Sequence, residues 1–418
     1  MHFFYGKLNI HTIFFVKRNI LVKSYIYFLT IGIIFLFSCS KETEKTIERE
    51  DLFSLSYGSF EDEFNISSLE EKNSNYLNSQ IFMKDGFFYI SVSNSKKVLK
   101  FTSFGDLLSI YYNPQYNVAP SRINEKKEEA LSTLNAVEYP FNYPTLITVT
   151  DEKSLYVVDN LEEERLEYDF EEDIGLQNIV LHFNEKGEFI DYIGQEGYGG
   201  SPFPPIKKLF CNKNNEIVVI CKVKEDMRLY YYNDRGILVH KYSIPLLSLP
   251  KIYKDESSVY KNIDISFPSF DKDIIYVKVD YYLEEIDPAS NVRRGIEFDK
   301  SMLHIFDRKE KSYIKNIELP FYEDIGVIGG EQVKFKKIYE LIDITKDEKC
   351  FFITPNNKHY ALSIFDIKNS RNYKHNLDIP PFLYGTFCAC EEDFLCALFS
   401  LKDKVQLSWW HTEKLIQK

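Results

Sequence analysis

Short runs of branched and aromatic residues recur along the chain from about Leu52 to the C-terminus, and a polar turn follows each run. The clearest example is Phe87–Val92, which follows Asp85-Gly86 and precedes a second apolar run over 98–101. Apolar runs of this length bounded by turn residues are typical of β-strands. The pattern therefore predicts an all-β body built from repeating strand–turn–strand units.

In six successive units an aromatic residue closes the third predicted strand. These residues are Phe101, Phe183, Tyr232, Phe306, Phe365 and Trp409. A glycine follows three of them by four residues, at Gly105, Gly187 and Gly236, and glycine readily adopts the positive φ that a tight hairpin needs. Repeats of about 40–60 residues are typical of propeller blades. We therefore predict a single β-propeller of four-stranded antiparallel blades, with six blades favoured and seven as the alternative.

Closing a ring of blades removes most exposed strand edges. An N-terminal strand over 52–55 or 60–66 is expected to complete the last blade. Three longer segments interrupt the repeats: residues 114–142, where a short helix is predicted over 125–137, the acidic run 161–178, and the Gly- and Pro-rich stretch 194–205. An α/β sheet would require helices between all strands, so that class fits poorly.

The first 38 residues differ from this body. Four basic residues and no acidic ones are followed by an apolar run over 25–37, which is 13 residues long. A basic head, a short apolar stretch and a small residue at the cut site are typical of a secretory signal. A helix needs roughly 20 apolar residues to cross a bilayer core, so a transmembrane anchor is the weaker interpretation.

The apolar run ends in Leu36-Phe37-Ser38-Cys39, which resembles the lipobox of bacterial lipoproteins, although Phe37 is bulkier than the usual residue there. The resemblance implies a signal peptide over 1–38, lipid on Cys39, and attachment to the cell envelope outside the cytoplasm, on the periplasmic face or at the outer membrane. Stable anchoring takes more than one acyl chain. Residues 39–50 are predicted to be a polar, lipidated tether and 51–418 the propeller domain.

Loss of residues 1–38 would leave 380 residues and move the formal net charge from -12 to -16, because four positive charges leave with them. An acidic body repels phosphate backbones, so no nucleic-acid partner is expected. Six cysteines remain after Cys39, without zinc-type spacing: Cys211, Cys221, Cys350, Cys388, Cys390 and Cys396. Cys388 and Cys390 are expected on one strand face with Cys396 across a hairpin, so buried thiols and a disulfide both stay open.

The stretch from Phe183 to Gly194, followed by a Gly- and Pro-rich loop, resembles the NHL-type and six-bladed propeller repeats of bacterial lipoproteins. The stretch from Asp85 to Leu108 is similar to an uncharacterised family of spirochaetal propeller-type lipoproteins. These resemblances cover most of the mature chain. They imply a fold and a location but no reaction, because unrelated functions share such folds.

No hydrolase elbow, metal-binding HExxH helix, P-loop, EF-hand or dinucleotide fingerprint occurs, so we predict no catalytic, cofactor-binding or metal-ligating residues. A metal in the channel would require histidines at equivalent repeat positions. His182 precedes Phe183 by one residue, whereas His304 precedes Phe306 by two. The two histidines are therefore expected on opposite strand faces, which argues against such a metal.

Loops carry function on rigid folds, and the candidate ligand-contacting residues are Tyr198, Phe203, Glu171 and Asp173. The acidic run 162–173 is by default a solvated loop, with calcium or a cationic partner as the alternative. We expect a non-enzymatic binding or scaffold module that presents one propeller face to a protein, peptide or glycan. An extracytoplasmic lyase or hydrolase and an envelope assembly factor are the alternatives.

Overall fold

The computed structural model describes residues 45–65, 79–120, 134–287, 290, 292–356, 360–390 and 393–416. The described chain begins with strands β1 (Thr46–Ile47) and β2 (Glu50–Ser56) and ends with a single helical turn, α1 (Glu413–Ile416). Three 3₁₀ turns lie at Ser93–Ser95, Glu163–Arg165 and Leu246–Ser248. The predicted signal peptide over 1–38 and the lipidated Cys39 lie outside the described residues.

The first three blades are antiparallel sheets whose strands follow chain order from the channel outward. Blade 1 contains β3 (Gln80–Lys84), β4 (Phe87–Val92), β5 (Lys97–Thr102) and β6 (Leu107–Tyr112), with β7 (Asn135–Glu138) added in parallel at its edge. Blade 2 contains β8 (Ile147–Val149), β9 (Leu155–Asn160), β12 (Asn178–Phe183), β13 (Phe189–Gly194) and β14 (Gly197–Tyr198), and a separate hairpin, β10 (Glu167–Asp169) and β11 (Ile174–Leu176), lies between β9 and β12. Blade 3 contains β15 (Ile206–Cys211), β16 (Ile217–Val223), β17 (Asp226–Tyr232) and β18 (Leu238–Ile244).

The last three blades repeat this arrangement with one change at the end. Blade 4 contains β19 (Val259–Pro268), β20 (Ile274–Ile286), β21 (Arg293–Asp307) and β22 (Ser312–Glu318), and the hairpin β23 (Tyr322–Ile328) and β24 (Glu331–Lys337) follows it. Blade 5 contains β25 (Glu340–Ile344), β26 (Lys349–Pro355), β27 (Tyr360–Asp366) and β28 (Arg371–Leu377), with β1 in parallel at its edge. Blade 6 contains β29 (Tyr384–Ala389), β30 (Leu395–Ser400) and β31 (Lys404–Trp410), and its fourth strand is β2.

These sheets confirm the predicted six-bladed propeller of four-stranded blades. The blade 6 sheet is completed by β2, which pairs antiparallel with β31 from Glu50↔Trp409 to Ser56↔Lys404. Of the two segments predicted to close the ring, 52–55 and 60–66, the first is thus confirmed as the closing strand. Backbone hydrogen bonds between β2 and β31 join the two ends of the domain. Each of the two strands is therefore paired along the edge that faces the other.

The strands of a blade are buried on both faces, so a blade packs against each of its two neighbours through a different apolar cluster. In β16, Ile217 and Val219 pack toward blade 2, whereas Val218 and Ile220 pack toward blade 4. Side chains alternate between the two faces of a strand. A strand between two neighbouring blades therefore needs a continuous apolar run rather than an alternating one, which explains the aromatic and branched runs of the sequence.

The predicted aromatic and glycine positions are also confirmed. Each of the six aromatic residues lies in the third strand of its blade, in β5, β12, β17, β21, β27 and β31. Gly105, Gly187 and Gly236 have φ of 88°, 85° and 65° and sit in the turn between third and fourth strands. In all three turns the glycine amide donates to the carbonyl three residues earlier, for example from Gly105 to Thr102 at 3.1 Å.

Two boundaries differ from the prediction. The helix predicted over 125–137 is wrong at its C-terminal end, because Asn135–Glu138 forms β7, whose backbone pairs with β6, while residues 121–133 lie outside the description. The folded body also starts before residue 51, because β1 pairs with the edge of blade 5. Edge pairing needs only backbone groups, so the polar side chains of the predicted tether do not prevent it.

Candidate functional site

The propeller has two different faces, which follow from its topology. The first strands of the blades line a central cavity of about 450 Å³. The turns that follow these strands lie together on one side of the propeller. There Lys84 Nζ of blade 1 and Asp151 Oδ1 of blade 2 form an ion pair at 2.7 Å. We call this side, which carries the first-to-second and third-to-fourth strand turns, the turn face. The opposite side carries the second-to-third strand connections and the connections between blades, and we call it the hairpin face.

Large exposed apolar side chains concentrate on three projections of the hairpin face. The projections are the β10–β11 hairpin, the far ends of β20 and β21, and the β23–β24 hairpin. Their exposed apolar residues are Leu166, Tyr168, Phe170, Ile286, Val292, Ile296, Ile325, Val327, Val333 and Phe335. Clustered exposed apolar residues with a polar rim mark interaction sites, whereas single ones need no explanation.

The β10–β11 hairpin differs from the other two projections in charge. Phe170 at its tip is 87% exposed, and its ring contacts that of Tyr168 edge-on at a centroid distance of 5.1 Å. The surrounding carboxylates are Glu162, Glu163, Glu164, Glu167, Asp169, Glu171, Glu172 and Asp173, against a single Arg165 within the segment. The hairpin therefore presents an aromatic tip inside a strongly negative rim.

Two contacts fix this hairpin. The guanidinium of Arg228 on β17 pairs with the Glu172 carboxylate, and this ion pair ties the hairpin to blade 3. The hydroxyl of Tyr168 donates to the Asp173 carboxylate within the hairpin. Binding through an aromatic side chain that is already ordered loses less conformational entropy than binding through a mobile one. This property suits a residue that contacts a partner.

The other two projections carry basic side chains that pair with their carboxylates. At the ends of β20 and β21, Arg294 pairs with Asp287 at 2.8 Å. In the β23–β24 hairpin, Lys337 pairs with Asp324, and Lys336 reaches the carbonyl of Asp299 on β21 at 2.8 Å. Of the three projections, the β10–β11 hairpin therefore carries the largest excess of carboxylates over basic side chains.

The structure brings together only two of the four predicted ligand-contacting residues. Glu171 and Asp173 are both exposed on the turn between β10 and β11. Tyr198 is half-buried in β14, where its hydroxyl lies 2.6 Å from His182 Nδ1 and its ring packs against Gly236. Tyr198 is therefore already engaged within the interface between blades 2 and 3.

Phe203 has no exposed surface. Its ring packs edge-on against Tyr230 and Tyr232 at centroid distances of 5.3 and 6.1 Å, in the apolar cluster between blades 2 and 3. Its expected contact with a ligand is therefore corrected to a packing role, because aromatic burial outweighs the flexibility suggested by the neighbouring Gly and Pro residues.

Tyr168 and Phe170 were not among the predicted contact residues. Their signal is in the sequence: Leu166, Tyr168 and Phe170 occupy alternate positions inside a run that is otherwise acidic. Alternation of apolar and polar residues is typical of a strand with one distinct face. The high charge of the run favoured the prediction of a solvated loop, whereas the run contains a short hairpin.

An ion pair crosses the channel. Lys208 Nζ on β15 lies 2.7 Å from Asp343 Oδ2 on β25, so blade 3 contacts blade 5 across the first strand of blade 4. Burial disfavours the Lys208 charge, but the neighbouring Asp343 carboxylate outweighs burial and holds the pKa of Lys208 above its ordinary value. The pair therefore links blades 3 and 5 within the channel.

Three β-bulges surround this pair. The pairing register shifts at Lys207 in β15, at Asp264 in β19 and at Ile342 in β25, which are the first strands of blades 3, 4 and 5. A bulge redirects the side chains that follow it. Here the bulges position Lys208 and Asp343, and Asp264 pairs with the buried Lys278 at 2.7 Å.

Neither His182 nor His304 lines the channel. His182 stacks on Tyr156 at a centroid distance of 4.3 Å, and burial lowers the pKa of His182 to about 4. His304 is fully buried, with Tyr281 Oη 2.9 Å from its Nε2 and Asn316 Oδ1 2.7 Å from its Nδ1. Across the described part of the chain, no group of three His, Cys, Asp or Glu side chains is arranged to hold a metal ion.

Comparisons with solved structures return distant likenesses. The β-propeller domain of the Trilobed protease from Pyrococcus furiosus has 10% identity and a TM-score of 0.36, with 80% of this chain and 83% of that chain covered. The WD40 domain of Toxoplasma gondii coronin has 7% identity and a TM-score of 0.34, with 78% of this chain and 66% of that chain covered. A protein of unknown function from Bacteroides caccae has 12% identity and a TM-score of 0.29, covering 57% and 66%.

No family model matches the chain, and no curated protein matches it. Within the described residues, no helix has the length and apolar character needed to cross a bilayer.

Proposed function

We propose that the protein is a lipid-anchored binding module outside the cytoplasm, and that the β10–β11 hairpin on its hairpin face contacts a basic protein or peptide partner. The observation that carries this proposal is the exposed Phe170 and Tyr168 pair inside a rim of carboxylates. The Leu36-Phe37-Ser38-Cys39 ending supports the anchor. A rigid propeller supports the role, because it fixes loops from several blades on one side.

The charge of the hairpin supports a basic partner. An aromatic anchor gains affinity when it is desolvated, and a surrounding field of one sign selects partners of the opposite sign and speeds their approach. The Arg228–Glu172 ion pair keeps the hairpin on blade 3, so the aromatic tip does not have to be ordered during binding.

Site-specific photo-crosslinking of the full-length protein in living cells tests the proposal. A photoreactive residue replaces Phe170 in one variant and Phe104 in the other. Both side chains are 87% exposed, but Phe104 lies on the turn face, which makes it a matched control. We expect a discrete crosslinked protein at position 170 and none at position 104, and the captured partner should carry a basic surface.

Purified complexes then test the charge. Glu171→Lys combined with Asp173→Lys should weaken binding by at least tenfold at low salt, and added salt should weaken the wild-type complex. Equal crosslinking at both positions, or a partner whose binding ignores the reversed charges, would contradict the proposal.

A further inference from the structure

Four sulfur atoms meet where blade 6 packs against blade 1. Cys388 on β29 is the direct cross-strand partner of Cys396 on β30. Cys390 follows β29, and its Sγ lies 3.3 Å from Sγ of Cys396. Met83 of blade 1 covers the group, with its Sδ 3.7 Å from Sγ of Cys396. All four side chains belong to one buried apolar cluster.

We propose that Cys390 and Cys396 form a disulfide bond in the mature protein. The two Sγ atoms are 3.3 Å apart and a disulfide has a sulfur–sulfur distance of about 2.05 Å, so the bond requires them to approach by roughly 1.3 Å. The proposal rests on the extracytoplasmic location in the proposed function, because disulfides persist in oxidising compartments.

The bond forms by thiol–disulfide exchange with a protein or small-molecule disulfide as oxidant. One cysteine loses its proton and attacks the oxidant's disulfide, which gives a mixed disulfide and one thiolate. The second cysteine loses its proton and displaces the oxidant's remaining sulfur. The two cysteines give up two electrons and two protons, and the oxidant leaves as two thiols.

The order of folding favours this pair. Cys390 and Cys396 are six residues apart across a single turn, so they meet as soon as the β29–β30 hairpin forms. Local contacts form before distant ones, because less chain entropy is lost in closing them. In the complete fold Cys390 is 2% and Cys396 0% exposed, so closure of the ring shields the bond from reductants.

Cys388 is the other possible partner of Cys396, because it lies directly opposite Cys396 across the two strands. The 3.3 Å contact between the Sγ atoms of Cys390 and Cys396 favours Cys390 instead. In the complete fold a hydrogen bond to Cys390 and burial raise the pKa of the Cys388 thiol well above its usual value. The bond from Cys390 to Cys396 would span the turn that carries Asp393, whose carboxylate accepts from Thr345 of blade 5 at 3.0 Å. The disulfide would therefore stiffen the contact between blade 5 and blade 6.

Thiol trapping tests the proposal on full-length protein taken from the cell envelope. The protein is alkylated with iodoacetamide in denaturant, before and after reduction, and its peptides are analysed by mass spectrometry. We expect one linked peptide, from Cys390 to Cys396, while Cys221, Cys350 and Cys388 are alkylated without reduction. A reductant should lower the Tm of the wild type by a few degrees.

The double variant Cys390→Ser and Cys396→Ser should lose this sensitivity to reductant, whereas Cys211→Ser, on a different blade, should keep it. Alkylation of all six cysteines without reduction, or a bond from Cys388 to Cys396, would overturn the proposal. Acylated Cys39 together with six reduced thiols would refute the disulfide alone, and missing acylation would refute the anchor. Refolding with glutathione disulfide tests the geometry independently of location, and failure to link Cys390 to Cys396 there would also refute it.

Discussion

The ring of Phe53 lies 5.2 Å from the ring of Phe101, although Phe53 belongs to the strand that completes blade 6 and Phe101 to blade 1. Phe53 also meets Phe88 of blade 1 edge-on at 6.2 Å. The closing strand therefore does more than pair with β31. It packs the last blade against the first, and the free energy of ring closure depends on both contacts.

Phe53→Ala should lower the free energy of unfolding by about 2–3 kcal/mol, because it removes a large aromatic side chain from the blade 6 and blade 1 contact. Urea denaturation followed by circular dichroism measures the change. Phe104→Ala is the control: this side chain is 87% exposed in blade 1, and its loss should cost less than about 0.5 kcal/mol. Equal effects of the two substitutions would contradict a closing role for Phe53.

Gly105→Ala should destabilise the protein by more than about 1 kcal/mol. Gly105 has φ of 88°, and a Cβ at this position would lie 2.9 Å from Cβ of Phe53. Gly175→Ala is the matched control, because a Cβ on Gly175 meets no atom within 4 Å and its φ is ordinary. Thermal unfolding of both variants decides the point, and a Tm of Gly105→Ala equal to that of Gly175→Ala would disprove the steric argument.

Lys208→Met should destabilise the fold by about 2–4 kcal/mol, because it leaves the Asp343 carboxylate without its partner in the channel. The double variant Lys208→Met and Asp343→Leu should recover most of that loss, since no uncompensated charge remains. A double-mutant cycle from chemical denaturation measures the coupling. Additive effects of the two substitutions would show that the charges do not interact across the channel.

Acid should destabilise the wild type partly through His182. Burial lowers the pKa of His182 to about 4 in the fold, below the value of about 6.5 in an unfolded chain. The unfolded state therefore binds a proton that the fold excludes, and stability present above pH 6.5 is lost as the pH falls toward 4. Between pH 7 and pH 5 the loss from this residue should be about 2 kcal/mol.

His182→Gln should flatten that pH dependence, because glutamine does not titrate. Urea denaturation at pH 7 and pH 5 measures the difference for both proteins. His304, whose pKa burial also lowers, stays present in both and contributes equally. If the variant lost as much stability as the wild type between the two pH values, His182 would not be the titrating group.

Cys39→Ser should release the protein from the membrane fraction, because the proposed lipid is its anchor. Membrane fractionation and mass spectrometry of the N-terminal peptide measure the outcome, and the wild type should show an acylated Cys39. Ser38→Ala keeps a small residue at the cut site and should leave the fractionation unchanged. Membrane retention of Cys39→Ser would point to a different mode of attachment.

The sequence alone indicated a single propeller of four-stranded blades and favoured six blades over seven. Strands buried on both faces require continuous apolar runs. The six aromatic residues from Phe101 to Trp409 each mark the third strand of one blade. These signals are local, because a strand and its turn are encoded within about ten residues. The sequence also predicted a closing strand over 52–55 or 60–66, and β2 covers the first of these ranges.

Only the tertiary structure decided which residues meet. Lys208 and Asp343 are 135 residues apart, and each follows a bulge in its own strand, β15 or β25, where the two side chains meet. Phe203 is buried although its neighbours are typical of an exposed loop, and β7 is a strand because the edge of blade 1 offers it backbone partners. Local propensity carries no information about such contacts, because burial and edge pairing depend on what the rest of the chain places nearby.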